Sequence, residues 1–387
     1  MQPNGRSCED CHPFPQTHLE NWITDHVETL IAPLFQSVIP ERIFSLGDQW
    51  IGRIFTGLGI VSPEKNFSLD AINPITAAFV RAGRKRGIEF TALKGPFGYI
   101  PYMRMKIGER VFEFEKLPRA EFKNKSALAH CADDKWKVKQ ELRNAGFPFI
   151  PGQAFWWFQK PQALRWAQKS GYPVIVKPRR GSLSQHMYPN IQNEKVLRAA
   201  IKKAVRYSPV FIVEKFIPGL TLYRITVVDG DAIFPVKRLP PHVTGNGNDT
   251  VRELMHKQNI PGKNIDVQTL QNQRLTLDAV PQPGQTVRLH YKIVLALGSV
   301  IQKMDPNTIH PENLAMCKEI VRRFGTRLAG IDFLAEDISR SWREQTAAII
   351  ELNSLPNILM HTFPRTSGEP ENEVAEAIAD LALKYYR

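Results

Sequence analysis

Ile349-Ile350-Glu351-Leu352-Asn353 runs directly into Ser354-Leu355-Pro356. The apolar run predicts a buried strand, and the Ser-Leu-Pro stretch breaks it. Residues i and i+2 of a strand share a face, so Glu351 and Asn353 project together while Leu352 points the other way. A buried carboxylate is costly unless it is paired or meets a cation. Upstream, Asp332 follows another short apolar segment. Asp332, Glu351 and Asn353 are three hard oxygen donors, and with phosphate oxygens and water they suit Mg2+. A hydrogen-bonded core pair is the plain alternative. The break after Asn353 favours the metal, because it opens the site.

Two lysines point to an anionic ligand. Lys177 ends the apolar strand Val174-Ile175-Val176, and Lys135 opens a helix after Asp133-Asp134. A lysine on a rigid element at a sheet edge is placed to meet an anion. Next, Phe211-Ile212-Val213-Glu214-Lys215-Phe216-Ile217 is an apolar strand that stops at Pro218-Gly219. Backbone groups left open where the ladder ends, with Phe216 and Ile217 as walls, suit a flat adenine ring. Taken singly, these are solvated lysines and a core strand.

Around these segments, helical spacing is expected at 19–38, 72–86, 133–145, 162–169, 193–207, 251–256, 311–328 and 371–386. Strands are expected at 88–93, 99–105, 110–114, 173–177, 210–216, 225–228, 231–236, 330–335 and 347–352. Residues 262–284 read as a polar insertion. Strands and helices mixed on this scale predict an α+β or α/β architecture.

Bulk properties set limits on function. The chain has 387 residues and is 43% hydrophobic, enough for about two or three domains. The net charge is +13, from 51 Lys+Arg against 38 Asp+Glu, which favours anionic partners. The basic residues form short clusters such as Arg84-Lys85-Arg86. No dense basic tract is interleaved with aromatics, so nucleic acid is the weaker reading. No apolar run approaches the roughly 20 residues of a membrane helix. The N-terminus lacks the apolar stretch of a signal peptide, so a cytoplasmic protein is expected. Four cysteines do not make a disulfide framework. Cys131 and Cys317 read as buried thiols. Cys8-Glu9-Asp10-Cys11-His12 matches CxxCH, but nothing completes a zinc site, and a surface tail is the favoured reading.

The ordered set Lys135, Val176-Lys177-Pro178, Glu214 to Gly219, Asp332 and Glu351-Leu352-Asn353 resembles the ATP-grasp ligases. The segments Pro240 to Gly247, Leu275 to Pro281, Ile331 to Ser339, and Ile350 to Asn353 with Met360-His361 are similar to the ATP-grasp half of cyanophycin synthetase. The likeness runs from about residue 100 to the C-terminus. It implies two α+β subdomains that clamp ATP, preceded by a smaller N-terminal α/β domain. The expected units are 1–120, 121–215 with a phosphate lid, and 216–387 with the metal site.

The resemblance also implies roles. Lys135, Lys177 and Ser182 would contact ATP phosphates, with Glu214, Lys215, Phe216 and Ile217 around adenine. Arg224 and Arg238 would face phosphate or a substrate carboxylate. Asp332, Glu351 and Asn353 would hold Mg2+, and His361, Ser367 and Gly368 would lie near a substrate. The implied reaction is ATP-dependent joining of a carboxylate, from an amino acid or peptide, to an amine through an acyl phosphate. Both reacting groups are anionic in its first step, so cations must offset their repulsion. Homo-oligomers are common among similar enzymes.

Three departures bear on this. The lid Pro178-Arg179-Arg180-Gly181-Ser182-Leu183-Ser184-Gln185-His186 has one glycine and two arginines, so either side-chain charge replaces backbone contacts or the lid is altered. Leu222 stands where an acidic residue usually precedes Tyr223-Arg224. Val287 to Ile293 replaces a stretch that contains Arg and Asn. The chain also ends at Arg387 without a Mur-ligase-like half, so two-step elongation is not expected from this chain alone. A catalytically altered, nucleotide-binding regulatory or scaffold protein is the alternative.

Overall fold

The structure is a computed structural model, described for residues 18–30, 53–118, 134–181, 184–262, 265–364 and 371–386. In chain order the principal elements begin with α1 (His18–Leu30), β1 (Ser62–Glu64), α2 (Pro74–Arg84), β2 (Glu89–Gly95), β3 (Gly98–Ile107), β4 (Arg110–Glu115) and α3 (Lys135–Asn144). They continue with β5 (Gly152–Trp156), α4 (Lys160–Ser170), β6 (Val174–Pro178), β7 (Tyr188–Ile191), α5 (Glu194–Ala204), β8 (Val210–Lys215), β9 (Thr221–Val228) and β10 (Ala232–Leu239). The remainder are β11 (His242–Thr244), α6 (Val251–Lys257), α7 (Val267–Asn272), β12 (Thr286–Arg288), β13 (Val300–Lys303), α8 (Pro311–Arg323), β14 (Leu328–Ala335), β15 (Ala347–Asn353) and α9 (Glu373–Tyr385).

Three sheets organise the chain: β1-β2-β3-β4, β5-β8-β6-β7, and β13-β10-β9-β14-β15. Their ladders are antiparallel, which makes the fold α+β. The middle sheet packs α4 and α5 on one face through Phe155, Leu164, Val174, Val176, Leu197, Ile201 and Phe211. The last sheet packs α8 through Met316, Ile320 and Val321 against Ile225, Val227, Ile331 and Phe333.

Two elements cross the boundaries expected from the sequence. Helix α3 falls within the expected 121–215 unit, yet Val138 and Leu142 pack into the core of the last sheet. Helix α9 joins the N-terminal sheet, with Val374, Ile378 and Ala382 against Phe79, Val80, Phe90 and Met105. That core also takes Val228 and Leu328, so the N-terminal unit seals one end of the last sheet. The segment expected as a polar insertion contains α7, whose Leu270 joins Val243, Leu254 and Val287 in a small fourth core. Strand β5, which was not anticipated, pairs with β8 through the register Gly152↔Glu214.

Cys317 is buried, and burial pushes its thiol up to about 12, so it is inert packing material. Cys8, Cys11, His12 and Cys131 lie outside the described residues. No helix among the described residues is long and apolar enough to cross a membrane.

Gly152 leaves room for the Glu214 side chain. A Cβ there would sit 2.6 Å from Glu214 Cβ and 3.0 Å from the Val213 carbonyl oxygen, closer than packed atoms approach. Gly152→Ala is therefore expected to push β5 off β8 and cost about 1–3 kcal/mol, the usual range for overpacking. Chemical denaturation of the two proteins measures it.

Candidate active site

Alternation along three strands builds one face of the last sheet. Arg224 opposes Asp332 in the β9–β14 ladder, and Asp332 opposes Glu351 in the β14–β15 ladder. The register shifts between Asp332 and Phe333. This bulge keeps Glu351 and Asn353 on the polar face while Ile349 and Leu352 both stay in the core. Val236 opposes Arg224 on β10, so Arg238, two residues on, shares the same face.

Asp332 is buried between two guanidiniums. Arg224 Nε donates to it at 2.5 Å, and Arg238 Nη1 lies 3.3 Å from its second oxygen. Burial alone would raise its pKa, but the two arginines overcome this and hold the carboxyl below its usual range. Gly330 makes the arrangement fit: a Cβ there would meet Arg224 Nη1 at 2.7 Å and Pro356 at 2.9 Å. Arg238 Nη2 also donates to the Ile293 carbonyl at 2.7 Å, so the departing 287–293 stretch anchors this arginine. Asn353 Nδ2 lies 3.5 Å from the Gly330 carbonyl oxygen. His361 Nε2 and Thr226 Oγ1 are 2.9 Å apart on the same face.

Cations reach this face from the middle sheet and α3. Asp134 caps α3 by accepting from the Trp136 and Lys137 amides. Lys135 Nζ stands 3.5 Å from Glu351 and donates to the Gly181 carbonyl. One turn on, Lys139 lies 2.9 Å from Glu214, whose other oxygen is 2.6 Å from Lys177. Glu214 is only 2% exposed, and the two lysines outweigh its burial to keep it ionised. Burial pulls Lys139 below the usual lysine range despite Glu214. Lys139 was missed in the sequence, although its i+4 spacing from Lys135 put both on one helix face.

At the end of β8, where adenine is expected, the Lys215 and Phe216 amides donate to the Pro151 and Pro173 carbonyls. Glu214 is an ion-pair centre, and Lys215 Nζ turns to the Gly171 carbonyl at 3.0 Å. Phe216 packs edge to face on Tyr291, with centroids 5.4 Å apart. The lid arginines fold back on the protein: Arg179 pairs with Asp134 at 2.8 Å, and Arg180 reaches Asp134 at 3.5 Å and Asp25 at 3.7 Å. Their charge is answered internally. Ser182, Ser367 and Gly368 lie outside the described residues.

Two antiparallel sheets with packed helices, lysines on the middle sheet and on α3, and carboxylates on the last sheet give the fold class, that of the ATP-grasp ligases. Residues 134–232 match the family described as the ATP-binding domain of the carbamoyl-phosphate synthase L chain. The fold is shared with the bifunctional glutathione synthetase of Pasteurella multocida, at a TM-score of 0.52 and 20% identity over 82% of this chain and 44% of that one. In sequence, the chain is similar to the cyanophycin synthetases of Trichormus variabilis, 29% identical, and of Nostoc sp., 30% identical. Each match takes in 80% of this chain and 35% of the relative. The glutathione biosynthesis bifunctional protein of Enterococcus faecalis is 27% identical over 68% of this chain and 37% of its own length. The chain thus spans about a third of the length of these curated relatives.

Among the described residues no group of three or more His, Cys, Asp or Glu side chains is placed to hold a metal ion. In the β14–β15 ladder Glu351 stands opposite Asp332 and Asn353 opposite Gly330.

Burial, with Arg224 nearby, pushes His361 down to about 3 from its ordinary 6.5. Between those values the unfolded chain binds a proton that the folded chain does not. The stability contributed here is full above pH 6.5 and falls as pH drops towards 3, by about 1.4 kcal/mol per pH unit. His361→Asn is expected to remove that slope, so denaturation at pH 7 and 5.5 should separate the two proteins.

Proposed function

We propose that this chain is an ATP- and Mg2+-dependent ligase that joins the carboxylate of an amino acid or peptide to an amine. The observation that carries the reading is the meeting of Lys135 with Glu351, 3.5 Å apart. It brings the lysine-bearing helix α3 onto the sheet face that holds Arg224, Arg238 and Asp332. Similarity to ligases over 80% of the chain supports it.

In this reading Lys135, Lys139 and Lys177 receive the nucleotide phosphates. Arg224 and Arg238, oriented by Asp332, face the acceptor carboxylate. Glu351 and Asn353, with Asp332 beside them, would hold Mg2+, which supplies charge neutralisation on the phosphate oxygens. The carboxylate takes the terminal phosphoryl group and ADP leaves. The amine then attacks the acyl carbon, phosphate departs with its bonding electron pair, and the amine gives up a proton. What the protein contributes is positioning and preorganised positive charge, not a covalent intermediate. His361, held neutral beside Thr226, offers a hydrogen-bonding group without adding a charge.

The alternative, a nucleotide-binding protein without turnover, is favoured by one feature. Asp332 has both carboxylate oxygens engaged by arginine, which leaves less of it for a cation.

Release of ADP and phosphate over a panel of amino acids and short peptides decides between the two. The ligase reading expects release that depends on the added substrate. Glu351→Gln should lower that release by about a hundredfold or more, in line with losing one charged ligand at a phosphoryl-transfer site, with circular dichroism unchanged. Normal turnover by the variant would remove Glu351 from the metal site. Nucleotide binding with no substrate-dependent release would leave the scaffold reading.

A further inference from the structure

Helix α1 packs against the unit of the middle sheet. Its Asp25 is 4% exposed and accepts a short hydrogen bond from Ser208, a residue 183 positions away. Its other oxygen stands 3.7 Å from Arg180 and accepts from Thr29 at 3.4 Å. Burying a carboxylate this deeply is unfavourable without such partners. A helix of 13 residues is also marginal alone in water. Docking and helix formation therefore depend on each other.

Aromatic contacts fix the rest of the helix. His18 packs edge-on against His186, with centroids 4.9 Å apart, and His186 stacks on Tyr207 at 4.1 Å. Trp22 stacks on His26, which meets Trp156 at 5.9 Å. These contacts lie on the same unit as the turn 178–181.

From Asp25 a line of charges runs to the candidate active site. Arg180 bridges Asp25 and Asp134. Asp134 is also gripped by Arg179 and caps α3. The Lys135 amide donates to the Arg179 carbonyl at 3.3 Å. Helix α3 carries Lys135 and Lys139, the two lysines that reach Glu351 and Glu214.

We infer that α1 is a strap and that Asp25 is a positioning residue: through Arg180 and Asp134 it fixes the start of α3, and so the two lysines that receive nucleotide. The inference rests on the reading of Lys135 and Lys139 as phosphate-binding groups.

Asp25→Asn tests it, because the amide keeps the size and an acceptor for Ser208 and loses the charge that faces Arg180. Two measurements on the full chain are needed: the ATP dissociation constant, and the rate of tryptic cleavage after Arg179 and Arg180. The expected result is an ATP dissociation constant raised about tenfold, as for loss of one buried ion pair, with faster cleavage. In an Arg180→Ala background the same substitution should change ATP affinity by less than about twofold, because coupled residues are not additive. Unchanged affinity and cleavage, or an equal loss in both backgrounds, overturns the proposal. If Asp25→Asn fails to fold, Arg180→Gln breaks the same pair from its other side and carries the same expectation for ATP affinity. A native chain that binds no ATP refutes the nucleotide reading and the positioning role with it. The strap contact is then judged by cleavage rates alone.

Discussion

Uncompensated positive charge is the constraint around which this structure is arranged. Among the described residues, two clusters linked through α3 hold Lys139 and Lys177 around Glu214, and Arg224, Arg238 and Lys135 around Asp332 and Glu351. Five cations face three carboxylates. The cost of the surplus falls on particular groups: burial lowers the pKa of Lys139 and of Arg238, so their charged forms are held at a disadvantage. An added anion relieves that disadvantage, and by linkage its binding stabilises the folded chain.

The backbone makes the surplus tolerable. Strand β9 is buried on both faces, with Tyr223, Ile225 and Val227 in one core and Arg224 and Thr226 on the other side. Period-two alternation sends charge and hydrocarbon in opposite directions from one strand. The Asp332 bulge and the bare Gly330 adjust that alternation where the charges meet. The apolar core of the N-terminal unit and α9 then closes the end of the same face at Val228 and Leu328. Polar chemistry is thereby confined to the end nearest α3.

Much of this was legible in the sequence, for a physical reason. Apolar strands ending in Lys177, or carrying Glu351 and Asn353 two apart, announce both their period and the residue that departs from it. What stayed hidden depends on distant partners. Lys139 looks like any helical lysine until Glu214 arrives from β8. Glu214 looks like a strand-end acid until Gly152 opens the space opposite. The carbonyls of Pro151 and Pro173 that take the Lys215 and Phe216 amides are partners that no local pattern reveals. Asp25 is the extreme case, since a carboxylate on an amphipathic helix ordinarily reads as solvated.

The arginine-rich turn 178–181 illustrates the difference between local and global charge. Read locally, Arg179 and Arg180 add to the phosphate-binding set. In the fold, two arginines face two aspartates, Asp134 and Asp25, so that segment is neutral as a unit. The two charge systems are kept apart: one is balanced and holds α1, the turn and α3 together, while the other is in surplus and surrounds Glu214, Asp332 and Glu351. Because Asp134 belongs to the balanced system and the adjacent Lys135 to the surplus one, the start of α3 is where structural and ligand-binding electrostatics meet. Under the proposed reading, attraction for an anion comes from lysines on rigid elements, and the neighbouring ion pairs of Asp134 hold the helix that carries two of them.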